Sequence, residues 1–324
     1  MIALAGALAA GFALPAQAQV EWDVAIPWGP TEFHTKNAIA FAERVEAETD
    51  GFVKMTVHPG GSLGIRANES LRAVEDGSVQ MAEFALFQNV GDLPILGIES
   101  IPFLIEDYDQ LRVMHDLVRP RWEAEMAERN QLPLYMVPWP SQNFYFKKKI
   151  ETAADFEGIK MRTYDANTAT MVDRLGMTPI QLGSPDIVPA LATGKAEGVM
   201  TSGTTAVAQK YWEFLDHTYT TNHLWASNAV TVNLDEWNDL PAEHQETILA
   251  IAKEMEPGFW EISEGEHGKR MQDLMDNGMT VQAPSPELLG AIQAATADMA
   301  DAFAEKVEGS GEIIDAFKAK IGGS

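Results

Sequence analysis

The chain has 324 residues, 46% of them hydrophobic, and its 23 Lys and Arg stand against 48 Asp and Glu for a formal charge of −25. That balance describes a folded chain, and it repels phosphate backbones and anionic lipid headgroups, which argues against nucleic-acid binding and peripheral membrane attachment. The lack of cysteine excludes a disulfide scaffold, a thiolate zinc site, an iron–sulfur cluster and a cysteine nucleophile, while the length predicts about two domains at roughly 150 residues each.

The chain opens on an uncharged apolar run that ends in Ala16-Gln17-Ala18, the small-residue pattern of a secretory signal peptide cut after Ala18. No Lys or Arg precedes the run. Gly6, Gly11 and Pro15 interrupt it, and at roughly 14 to 17 residues it falls short of a membrane anchor. The expected mature protein is exported and periplasmic, without membrane insertion.

Beyond the run, Val24-Ala25-Ile26 reads as a strand and residues 31–48 as a helix with Phe33, Ala38, Phe41, Ala42 and Val45 on one face. A strand over 53–57, a helix over 68–76, a strand over 81–87 and a helix over 109–129 follow. The next strand, 132–137, runs into Pro138-Trp139-Pro140. The pattern then restarts with Phe144-Tyr145-Phe146, strands at 159–162, 179–182, 198–202 and 229–233, and helices at 167–175 and 186–192. Strand and helix alternating in this way predict an α/β fold with largely parallel pairing, in two lobes that meet near 139–142. Residues 241–276 permit one helix of about 50 Å, enough to brace both lobes, with only Pro257 and Gly258 to kink it. Ser285-Pro286-Glu287 then opens a C-terminal helix with an N-cap serine and proline at its first position.

Catalytic signatures are missing. Gly60-Gly61-Ser62-Leu63-Gly64 lacks the spacing of a phosphate loop and reads as a turn; it matches GxSxG in its letters, but the next helix is expected only from 68, so the strand–turn–helix context of that motif is missing. No two histidines stand at i, i+4, and no serine sits in SxxK. No catalytic group, cofactor or metal is expected. Two lobes, export and no chemistry describe a solute-binding protein.

Asp155-Phe156-Glu157-Gly158-Ile159-Lys160-Met161-Arg162 resembles the D-x-x-G-x-K-x-R segment in solute receptors of TRAP (tripartite ATP-independent periplasmic) transporters, of the C4-dicarboxylate-receptor type. Leu175-Gly176-Met177-Thr178-Pro179, the run Asp186 to Gly194, Thr221-Asn222-His223, Trp237 and Leu240-Pro241 resemble further family positions. The resemblance implies a two-lobed periplasmic solute-binding fold with crossing hinge strands and a long helix spanning both lobes, closing on a ligand and handing it to membrane permease subunits without catalysis. The lobes are expected to take 19–139 with about 229–267, and 140–228 with about 268–324.

The resemblance also implies that Arg162 receives the ligand's carboxylate, since a planar guanidinium can hold both oxygens and lysine cannot. Where some members carry a second arginine this chain has Gln142. Lys147-Lys148-Lys149 is the alternative second cation, although three lysines on a strand more often form a solvated edge. Thr201 stands where the family often has an asparagine contact. Trp28, Phe84, Phe87, Trp139 and Trp225, at or near predicted strand ends, crowd the expected cleft, and Ser184 and Glu32 complete the candidate set. The expected ligand is a monocarboxylate with an aromatic or apolar body, benzoate-type or indole-type. The alternatives are a C4-dicarboxylate or a small hydroxy or keto acid. Two other functions compete: a sensor subunit that shows its closed form to a signalling partner, and an extracytoplasmic hydrolase using Glu32 with His34.

Overall fold

The computed structural model describes residues 19–322, so the expected signal peptide, 1–18, lies outside the described residues. In chain order these form β1 (Val20–Ala25), α1 (Phe33–Glu48), β2 (Val53–His58), α2 (Ser70–Glu75), β3 (Met81–Ala85), α3 (Tyr108–Ala127), β4 (Gln131–Phe146), β5 (Lys160–Thr163), α4 (Ala166–Arg174), β6 (Thr178–Gln181) and α5 (Ile187–Ala192). They continue with β7 (Gly198–Thr201), α6 (Gly203–Ala208), β8 (His217–Asn233), α7 (Leu234–Asn238), α8 (Ala242–Asp276), β9 (Thr280–Gln282), α9 (Pro286–Thr296), α10 (Met299–Lys306) and α11 (Ser310–Ile321). The apolar stripe of α1 is buried at every position named above, and α8 runs through Pro257 unbroken. Ser285 caps α9 by accepting the Leu288 N–H, with Pro286 in the first turn. Among the described residues no helix is long and apolar enough to cross a membrane.

The strands form one sheet in the order β2-β1-β3-β8-β4-β7-β5-β6, with β9 added to β8. One end, β2-β1-β3, is parallel, as is the other, β7-β5-β6. Between them β4 and β8 run antiparallel to each other and to β7 and β3. The result is a two-lobed α/β molecule whose middle strands belong to both lobes.

Here the structure departs from periodicity. β4 does not stop before Pro138 but continues to Phe146, because a proline's missing donor is tolerated at irregular positions. Its register with β8 shifts between Pro133 and Tyr135, between Trp139 and Gln142, and between Gln142 and Phe144. β8 begins at His217, through Thr and Asn residues with no apolar alternation. Polar side chains knit the crossing: Ser141 Oγ donates to Asn222 Oδ1 at 2.6 Å, the Asn222 N–H donates to Asn143 Oδ1 at 3.1 Å, and Thr221 Oγ1 meets His223 Nδ1 at 2.8 Å. Asn222 takes a left-handed φ of 45°. His223 is wholly buried against Phe144, and burial pulls its pKa down to about 3.

α8 packs on β4, with α1 of the first lobe and with α6 and β9 of the second. It supplies donors to strand carbonyls at the proline run: Trp260 Nε1 donates to Met136 O at 2.8 Å and Ser263 Oγ to Pro138 O at 2.7 Å, while the Tyr108 hydroxyl meets Ser263 Oγ at 2.9 Å. Arg44 of α1 and Arg112 and Arg119 of α3 pair with Glu254, Glu264 and Glu256 on the same helix. The single C-terminal helix expected is three, and α11 packs on α3 through buried Ile314 and Phe317. The chain end therefore returns to α3, an element of 19–139. Ser263→Ala leaves the Pro138 carbonyl buried without its donor, so urea unfolding should show a loss of about 1–3 kcal/mol; no loss would mean that the helix is not held to the strand by this bond.

Candidate ligand-binding site

A cavity with about 360 Å³ of empty space lies between the carboxyl ends of the two parallel strand sets, the place where open α/β sheets bind ligands. Trp28 reaches it from the loop after β1, Phe87 and Gln88 from the turn after β3, Trp139 and Gln142 from β4, and Arg162 and Tyr164 from the end of β5. Ser184 comes from the turn after β6, and Thr201, Ser202 and Thr205 from the passage of β7 into α6.

Turn chemistry delivers the arginine. The Asp155 carboxylate accepts the Glu151 and Thr152 N–H groups at 2.9 and 2.8 Å. Gly158 and Gly176 take φ values of 72° and 79°, which favour glycine, and the Gly158 N–H donates to Gly176 O at 2.9 Å. A side chain on Gly176 would also run into the Glu157 carboxylate. Most of the D-x-x-G-x-K-x-R segment is thus a folded turn that sets where β5 starts, and so where its last residues end.

Arg162 is 4% exposed. Its Nε donates to Leu182 O at 3.0 Å and its Nη1 to Met200 O at 2.9 Å, with the Tyr164 ring 5.1 Å from Cζ. Among the described residues no carboxylate pairs with it: Asp165, which acts on it through space, is engaged by the Thr168 N–H and hydroxyl. Burial draws the guanidinium pKa down, yet an arginine stays charged. A buried charge without a counter-ion is costly, and an anion relieves that cost.

Three more atoms in this wall have no partner among the described residues: Trp28 Nε1, Gln88 Oε1 and the Tyr164 hydroxyl. By contrast, Gln142 Nε2 donates to Pro140 O and Gln209 Nε2 to Ser184 Oγ, both at 2.8 Å. Trp139 Nε1 donates to Asn228 Oδ1 at 2.7 Å, and Asn228 Nδ2 donates to the Glu83 carboxylate that also meets His34 Nδ1, each at 2.8 Å. Trp139 therefore shows the cavity its ring and not its N–H. It meets Trp28 edge-on with centroids 5.1 Å apart, and Phe87 meets Tyr164 likewise at 4.9 Å. The site holds one cation, orphaned polar atoms of both kinds and flat apolar faces.

The structure brings together Arg162, Gln142, Thr201, Trp28, Trp139, Phe87 and Ser184. It places Phe84, Trp225 and Glu32 elsewhere. Phe84 is wholly buried inside β3 opposite Ala229; since β3 ends at Ala85, Phe87 is the ring that reaches the cavity. Trp225 packs on Tyr108 at 4.6 Å. Glu32 is buried where Arg270, Glu266 and Glu83 act on it, and His34 pairs with Glu83 instead, so the hydrolase pairing is not formed. Lys147, Lys148 and Lys149 are exposed at the far end of β4, near Glu157 and Glu197, with Lys149 on Glu151. They give the cavity no second cation. Gln88, Tyr164, Ser202 and Thr205 were not expected. Tyr164, two residues beyond Arg162 on a strand, shares its face by simple alternation; the others sit in turns that no periodicity marks.

A family model described as bacterial extracellular solute-binding protein, family 7, matches residues 24–306. A TRAP solute-binding protein of an unidentified marine microbe, specific for pyroglutamate and crystallised with co-purified pyroglutamate, is similar at 33% identity and a TM-score of 0.90, over 93% of this chain and 99% of its own. DctP7 of Bordetella pertussis, an extracytoplasmic solute receptor binding pyroglutamic acid, shows 26% identity and a TM-score of 0.90 over 92% of this chain and 99% of its own. The C4-dicarboxylate-binding periplasmic protein DctP of Rhodobacter capsulatus is 26% identical, over 86% of this chain and 85% of that protein.

Burial pushes the pKa of the Glu32 carboxyl from 4.5 to about 7. The folded form holds that proton more tightly, so this contribution to stability is full below pH 4.5 and is lost as pH rises to about 7. His223 acts with the opposite sign, costing stability as pH falls from 6.5 toward 3. Denaturation of Glu32→Gln against wild type across this window isolates the first slope, at most ~1.4 kcal/mol per pH unit; parallel curves would show that Glu32 keeps an ordinary pKa.

Proposed function

Because the chain belongs to family 7 of the bacterial extracellular solute-binding proteins, TRAP-type receptors and not enzymes, its solute is a small organic acid, and we propose a cyclic amido monocarboxylate of the pyroglutamate type. The observation that carries this reading is the set of unpaired atoms around Arg162. In it, Arg162 takes the carboxylate, Gln88 Oε1 accepts the lactam N–H, and Trp28 Nε1 and the Tyr164 hydroxyl donate to the lactam carbonyl. Trp139, whose N–H is taken by Asn228, packs its ring against the lactam. The two relatives described with pyroglutamate lend support.

The reading keeps the monocarboxylate expectation and changes the body. A benzoate-type ring leaves all three orphaned atoms unpaired, at about 1–3 kcal/mol each, and an indole-type ring supplies one donor but no acceptor. A C4-dicarboxylate would bury a second charge with no second cation. In this reading the first lobe comprises 19–139 with about 229–267 and the last two helices, the second lobe takes most of the remainder, and the closed receptor passes its solute to membrane permease subunits. Closing the lobes removes water and strengthens the ion pair.

Calorimetry with pyroglutamate, succinate, benzoate and lactate tests the assignment, and the mass of any co-purified solute tests it independently. Pyroglutamate should bind in the micromolar range or tighter, near ~8 kcal/mol, and the others at least roughly tenfold more weakly; tighter binding of succinate or benzoate would falsify it. Arg162→Lys should lose at least about 30-fold in affinity, and an unchanged constant would remove the arginine from the site. The lactone analogue, with ring oxygen in place of N–H, should bind roughly tenfold more weakly than pyroglutamate. In Gln88→Leu that preference should vanish; if it persists, Gln88 is not the acceptor.

A further inference from the structure

The chain has ten arginines, and eight of them hold a carboxylate within 4.0 Å. Among the described residues, the two that do not are Arg162 and Arg66. Arg66 is exposed; its main-chain N–H donates to Glu69 Oε2 at 3.2 Å, but its guanidinium pairs with no acid among the described residues, in a chain where acids outnumber bases 48 to 23. It lines the mouth of the cleft, a space of about 1470 Å³ whose wall includes Trp28, Gln88, Tyr164 and Ser184. Those four residues also line the cavity. The two unpaired arginines therefore stand at the outer and inner ends of one continuous route.

We propose that Arg66 is an encounter site for the anionic solute, holding it at the lip of the cleft before it passes to Arg162. The proposal rests on Arg162 being the carboxylate anchor. A monoanion approaching a protein of charge −25 meets repulsion over most of the surface, but screening limits each charge to about 10 Å at 0.1 M salt. The sign of the field at the mouth is thus set by the groups at the mouth. Arg66 on the first-lobe lip attracts the anion, and Asp186, which lines the same space from the second lobe, opposes it.

Stopped-flow binding, read by the fluorescence of Trp28 and Trp139, tests this with pyroglutamate, benzoate and succinate as probes at about 10 mM ionic strength. For a unit charge about 10 Å from the path, Arg66→Ala should lower the association rate constant roughly twofold, Arg66→Glu roughly fourfold, and Asp186→Asn should raise it roughly twofold. Dissociation rates should stay the same, and the differences should shrink at about 1 M salt. Equal association rates in all variants at low salt, or an effect confined to dissociation, would overturn the encounter site while leaving the anchor intact. If no probe binds wild-type protein by fluorescence or equilibrium dialysis, the carboxylate reading itself fails and the encounter site fails with it.

Discussion

A guanidinium held out of water with no carboxylate beside it is the constraint from which the rest of this structure follows. Two of its donors are taken by the carbonyls of Leu182 and Met200, which requires β5, β6 and β7 to lie in one register, with Arg162 beside Ile180 and Val199. The second lobe is in that sense a seat for a charge. The first lobe brings Trp28, Phe87 and Gln88 over it, so the walls that exclude water come largely from one lobe and the cation from the other. An anion in the site then favours the state in which the two are together.

That arrangement needs lobes that are joined but not fused. β4 and β8 serve both, and their register changes where they cross, so the ladder is weakest at the crossing. Side-chain bonds among Ser141, Asn143 and Asn222 hold the crossing in place of a regular ladder. α8 contributes stiffness on one side: its ion pairs and its donors to Met136 and Pro138 bind its greater part to α1, α3 and β4. The remainder packs on α6 and β9. The last turns of α8 and the two crossings are therefore what tie the second lobe to the first.

Long apolar periods were legible in the sequence, as α1 and α8 show, and so was Arg162, because the turn that places it leaves a linear pattern of Asp, Gly, Lys and Arg. What could not be read was governed by pairing at long range. Prolines in β4 look like a strand end until β8 and α8 are seen to satisfy the neighbouring groups, and the polar half of β8 is central because of its partners and not its composition. Phe84 and Phe87 looked equivalent; one residue of strand length decides which is core and which is wall. Gln88 left no trace, since an amide in a short turn is ordinary until the cavity around it shows that its oxygen has no partner.

Arg162 is gripped through main-chain oxygens, and main-chain oxygens are present whatever side chains stand at Leu182 and Met200. The anchor is therefore insulated from genetic drift at its own supports, while Gln88, Trp28 and Ser184, which make no bond to the guanidinium among the described residues, can be exchanged one at a time without loosening it. A lineage built on this scaffold can change the wall of the cavity by a few substitutions and never pass through a form in which the guanidinium has lost its seat.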